Sequence, residues 1–131
     1  MSPISAYTKV NVSTASAQQI MISLFQAALR NMRSAAGAFD RGDYRLGTQS
    51  AAKAAAIVMG LHGTLKEDLA PELCARLKEL YTFVAWRLGV AGAKLSANHA
   101  REAERVFTPI AEAFIQAGSE TSGEAKLSAV G

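Results

Sequence analysis

From Met21 onward, apolar side chains recur at Phe25, Ala28, Met32, Ala35 and Phe39, stepping alternately by four and three residues. That is the period of one helix face. Ser16 with Gln19 three residues later forms a capping box, and Gly42 is a natural C-terminal stop, so a first helix is predicted over residues 17–41. Asp43 can cap a second, whose face reads Leu46, Ser50, Ala54, Ile57, Leu61 and Leu65. Small residues around it (Ala51, Ala52, Ala55, Ala56) let a neighbour approach closely, and Gly60 and Gly63 weaken its end, placing that end between Leu61 and Thr64. Pro71 suits the first turn of a third helix over 70–95, with a stripe of Leu73, Leu77, Leu80, Val84, Leu88, Ala91 and Leu95 flanked by Tyr81 and Trp86. Asn98 can cap a fourth, carrying His99, Ala103, Val106, Ile110, Phe114 and Ala117 and ending near Gly118. Pro109 inside it should kink the helix or leave a carbonyl unpaired.

Four amphipathic helices with short connections and no β alternation predict an all-α protein, an antiparallel four-helix bundle over residues 16–118. Residues 119–131 are small, polar and without pattern, and read as a disordered C-terminal tail. Residues 1–15 read as an N-terminal arm that carries Ile4, Tyr7, Val10 and Val12 without a helix signal. Phe25, Leu77, Leu80 and Leu88 are assigned to the core.

The 131 residues suit one domain large enough for a sizeable core. A net charge of +3, without basic runs or interleaved aromatics, carries no nucleic-acid footprint. One cysteine, Cys74, excludes an internal disulfide and is read as a structural thiol. No apolar stretch approaches the roughly 20 residues of a membrane span, and the first residues lack the basic-then-apolar order of a secretory signal, so a cytoplasmic protein is expected.

Catalytic chemistry finds little footing. A di-iron bundle needs Glu-x-x-His pairs, but Met59 precedes His62 by three residues and Ser96 precedes His99. There is no phosphate loop and no G-x-S-x-G elbow. No cofactor and no enzymatic activity are expected. An all-helical module of this kind works by binding, through a groove or a partner helix.

The order of motifs resembles the flagellar export chaperone family FliS. Ala6-Tyr7, then Thr14-Ala15-Ser16, then QQIMISLFQAALR ending at Arg30 follow the family's arm, helix start and L-I-x-x-L-Y-x-G-A-L-R segment. Lys53, Ala54, Ile57 and Val58 fit a K-A-x-x-I-I segment, and ELCARLKELYTFVAWRLGVA over residues 72–91 keeps Leu77, Leu80, Tyr81, Arg87, Leu88 and Ala91 in place. Ala113-Phe114 stands where the family has an alanine–tryptophan pair. Ala17 replaces the family's proline, Phe25 its tyrosine, Ala27 its glycine and Arg76 its asparagine.

The resemblance implies a cytoplasmic chaperone that binds the disordered C-terminal segment of flagellin, prevents premature polymerisation and aids delivery to the flagellar type III export apparatus. It permits an alternative, a regulatory helical adaptor for another flagellar protein such as an anti-sigma factor. It also implies partner-binding positions. Ile57, Leu61 and Leu65 would line a client groove, Lys53 would meet an acidic client group, and Tyr81 and Arg87 match the family's L-Y and R-L pairs. Each has a structural alternative: core packing for Ile57, Leu61 and Leu65, a core-edge aromatic with its hydroxyl at the surface for Tyr81, and a solvated helix surface for Lys53 and Arg87. Ile4, Tyr7 and Val10 would cover the groove while no client is bound, since an uncovered apolar patch invites aggregation. Monomer and homodimer both remain open.

Overall fold

The computed structural model describes the backbone of residues 3–130 and the side chains of residues 16–119. Four helices follow one another: α1 (Pro3–Asp40), α2 (Tyr44–Gly63), α3 (Pro71–Lys94) and α4 (Ala97–Val130). α1 packs on α2 and α4, and α3 packs on the same two. With short links between successive helices, that ring is an antiparallel four-helix bundle, and no strand occurs among the described residues.

The links are built by local backbone chemistry. Gly42 takes φ +76°, the left-handed conformation that glycine adopts without strain. The turn lets the N–H of Asp43 reach the carbonyl of Ala38 at 2.8 Å and that of Gly42 reach Phe39 at 3.1 Å, satisfying two carbonyls at the end of α1. Asp43 then turns to α2, where its Oδ1 accepts from the N–H of Leu46 at 3.3 Å. Between α2 and α3 the chain takes a longer path. Thr64 Oγ1 donates to the carbonyl of Leu61, and the Cys74 thiol donates to the carbonyl of Lys66 at 3.2 Å, so Cys74 acts as a buried structural group. At the α3–α4 link Leu95 adopts φ 53°, and both its N–H and that of Ser96 bond to the carbonyl of Ala91.

Helix boundaries differ from the sequence reading in three places. α1 begins at Pro3, so Ser16 lies inside a helix rather than at its cap. No glycine or proline interrupts the chain between Pro3 and Gly37, and Pro3 presets φ for a first turn. α4 continues beyond Gly118 through a stretch containing the strong helix formers Glu124, Ala125, Lys126 and Leu127. The N-terminal cap of α4 is Ser96, not Asn98: the Ser96 hydroxyl accepts a long 3.5 Å bond from the N–H of His99. The side chains of the arm and tail, including Ile4, Tyr7 and Val10, lie outside the described residues.

The core has two parts. The larger gathers Phe25, Met32, Val58, Leu61, Tyr81, Val84, Leu88 and Phe107, and the smaller joins Phe39 to alanines of all four helices. The stripes of α1 and α2 bury much as the spacing predicts, although Leu46 at the start of α2 stays exposed. On α3 the buried line is Cys74, Leu77, Tyr81, Val84, Leu88 and Ala91. Leu80, assigned to the core from sequence, is 38% exposed, because Tyr81 one residue on takes the inward position at 1%. On α4 the inward line is Ala100, Ala103, Phe107 and Ala111, one residue away from the Val106–Ile110 line. Pro109 falls on the exposed side, where the Arg105 carbonyl it leaves without a donor can meet water. Ion pairs join α1 to α4 (Arg33–Glu104 at 2.7 Å, Arg101–Asp40); such exposed pairs contribute little stability.

Candidate partner-binding face

Once Tyr81 and its line have turned inward, α3 still carries apolar side chains with no core to enter. Leu73, Leu80, Phe83 and Trp86 remain on its outer side, with Trp86 57% exposed, and Leu69 just before the helix is 78% exposed. Phe83 and Trp86 stand three residues apart, so they share a face. Their ring centroids are 6.2 Å apart at 41°, and together with Lys78, Glu79 and Thr82 they border a shallow hollow of about 530 Å³.

Arg87 fixes this aromatic pair. Its guanidinium carbon lies 5.7 Å from the Phe83 ring centre and 5.9 Å from that of Trp86, within cation–π range. The same guanidinium pairs with Glu102 on α4. The aromatic face is thereby tied to the neighbouring helix instead of swinging freely. Arg87 Nε is buried without a partner among the described residues.

One turn beyond Trp86, α3 becomes smooth. Gly89 and Gly92 face Ala51 and Ala55 of α2 across a furrow of about 340 Å³ with almost wholly apolar walls. A Cβ at Gly89 would touch nothing within 4 Å, so the furrow is open. On the other side of the bundle, Met21, Ile22, Phe25 and Phe114 line an apolar groove of about 380 Å³ between α1 and α4. There Phe25 and Phe114 stack at 5.0 Å and 13°. An apolar strip of this extent suits the side chains of a partner helix or extended segment.

The positions singled out from sequence separate in space. Leu61 and Tyr81 are core members, each 1% exposed, and as folded they offer no surface to a partner. Burial pushes the Tyr81 phenol up to about 12, and its ring packs 6.0 Å from Phe107. Ile57 and Leu65 are half-buried against that same cluster. Lys53 is exposed on the α1–α2 side, and Arg87 belongs to the α3–α4 side. Sequence spacing missed Phe83 as an outward residue. The available signal was an excess: α3 holds more large apolar side chains than one helix face can bury.

Among the described residues no three His, Cys, Asp or Glu side chains converge, and no helix is long and apolar enough to cross a membrane.

Comparison with known proteins bears on the same bundle. A relative of 29% identity over 115 residues, covering 88% of this chain and 85% of the relative, is the flagellar secretion chaperone FliS of Bacillus subtilis (strain 168). The family described as flagellar protein FliS matches residues 1–121. With nearly the whole bundle inside that match, the chain belongs to the FliS family of flagellar proteins.

Proposed function

We propose that this protein is a cytoplasmic export chaperone that binds the C-terminal segment of flagellin, keeps it from polymerising early and presents it to the flagellar type III export apparatus. The observation that carries the reading is the outward apolar face of α3, Leu73, Leu80, Phe83 and Trp86, on a bundle of the FliS family. A helix-forming segment that is disordered when free would lay its apolar side chains along this face and on into the Gly89–Gly92 furrow. The ordering cost moderates its affinity, which suits a client that must later be released. Ile57 and Leu65 would extend contacts on α2, and Ile4, Tyr7 and Val10 would shield apolar surface between clients. No step requires bond chemistry from the chaperone.

The test is calorimetric titration of the full chain with the C-terminal segment of flagellin from the same organism. One-to-one binding with a negative heat-capacity change supports the reading, because that sign reports burial of apolar surface. Trp86 is the only tryptophan, so its emission should shift to the blue in the same titration. Absence of heat at several temperatures, with folded protein and polymerisation-competent flagellin, refutes it and directs attention to an adaptor role toward another flagellar protein.

A further inference from the structure

A second face of the bundle has a different chemistry. α2 carries no Asp or Glu, and the only carboxylates before Glu67 are Asp40 and Asp43. Both are engaged: Asp40 pairs with Arg101, and Asp43 caps α2. On the outer side of α1 and α2 this leaves a groove of about 830 Å³ lined by Arg30, Asn31 and Ser34 of one helix and by Gln49, Ser50 and Lys53 of the other. Arg30 and Lys53 form no ion pair among the described residues.

The wall between these cations is rich in donors. Ser50 is buried at a stripe position where an apolar residue would serve the core, and its Oγ lies 3.1 Å from that of Ser34. A hydroxyl pair uses one proton between its oxygens, so the second O–H is free to serve another acceptor. Asn31 spends one amide N–H on the carbonyl of Ala27 at 2.8 Å and keeps another. Leu46, Ala52 and Ala56 complete the groove with apolar surface.

We infer that the α1–α2 groove is a second docking site, for an acidic amphipathic segment of a partner protein whose carboxylates meet Arg30 and Lys53. Charge complementarity selects such an occupant. A nucleic acid draws its affinity from many neutralised phosphates and from stacking on aromatics, and this groove offers two cations and no aromatic ring. An anionic bilayer gains little from two basic residues and cannot enter a concave furrow between two helices. A peptide helix with carboxylates on one side and apolar residues on the other matches the lining. The site lies away from the outer face of α3 and stands independently of the proposed client there.

The probe is a twenty-residue peptide with leucines along one helical face and glutamates beside them, compared with the same peptide carrying glutamine for each glutamate. Binding to the full chain is followed by fluorescence anisotropy of the labelled peptide and by backbone amide shifts. The glutamate peptide should bind at least tenfold tighter than the glutamine peptide, lose affinity as salt rises, and perturb amides around Arg30, Gln49 and Lys53. The double variant Arg30→Gln, Lys53→Gln should weaken it at least tenfold, with unchanged thermal unfolding. Equal binding of both peptides, or full binding by the double variant, overturns the inference. So does tighter binding to phosphatidylglycerol vesicles or to a single-stranded oligonucleotide than to the peptide. If the flagellin titration fails while the glutamate peptide binds in this pattern, the groove stands and the proposed client falls.

Discussion

Two glycines of α2 provide a controlled comparison. Replacing either by alanine brings the same intrinsic gain, about 0.8–1 kcal/mol in a helix interior and less near an end. At Gly60 a Cβ would meet nothing within 4 Å, so Gly60→Ala should keep most of that gain, about 0.5 kcal/mol or more so near the helix end. At Gly47 the new carbon would sit 2.5 Å from Cδ1 and Cε1 of Phe39. Carbon contacts settle at about 3.5–4.0 Å, so the ring would have to retreat by about 1 Å. It is held in the smaller core cluster by Ala35, Ala36, Ala51, Ala91 and Ala100, whose short side chains have no rotamers through which to yield. Overpacking of this kind costs about 1–3 kcal/mol. Gly47→Ala should therefore lose about 1 kcal/mol net, with Tm lower by about 4 °C, while Gly60→Ala raises it by about 2 °C. Urea unfolding followed by far-ultraviolet circular dichroism measures both. Adding Phe39→Leu to Gly47→Ala should recover part of the loss, a coupling that a double-mutant cycle reads directly. If both alanine variants gain stability equally, Phe39 does not press on α2 at Gly47.

Three further outcomes are expected. Trp86→Ala should weaken the flagellin segment at least tenfold while leaving Tm nearly unchanged, since the side chain is more exposed than packed; calorimetry and thermal unfolding on the same sample separate the two. Tyr81 keeps its proton in the folded state to about pH 12 but ionises near pH 10 when unfolded, so its contribution is complete below pH 10 and fades as pH climbs toward 12; Tyr81→Phe should show a shallower stability loss across that window in urea titrations. Leu95→Asn should raise stability by about 0.5–1 kcal/mol, because asparagine tolerates the left-handed backbone that a leucine at φ 53° adopts at a cost, and a lower Tm would contradict that account.

Most of the bundle was legible because burial imposes a period. Phe25, Met32 and Phe39 on α1 and Ala54 and Leu61 on α2 repeat at the interval that one buried face demands, and Gly42 and Asp43 mark a turn by their own backbone and side-chain chemistry. Where two apolar lines run along one helix, periodicity alone cannot choose between them. That is why Leu80 and Tyr81 exchanged places, and why Phe107 lay one residue from the expected line on α4. The outer face of α3 was hidden for the same reason: its leucines looked like more core. The α1–α2 groove depends on side chains distant in sequence, Arg30 and Lys53, meeting across two helices. No local pattern announces such a meeting, although the missing acids of α2 hinted at it.

The three connections are unequal. Asp43 closes one helix and opens the next, leaving no slack between α1 and α2, and Leu95 with Ser96 ties α3 to α4 almost as tightly. Only the stretch from Thr64 to Ala70 has length to spare. By its connections the chain is two tightly turned hairpins, α1–α2 and α3–α4, joined by one longer link. If two copies ever trade parts, the tradeable unit is a whole hairpin, opened at residues 64–70, and the acid-poor groove on α1–α2 would travel with it intact.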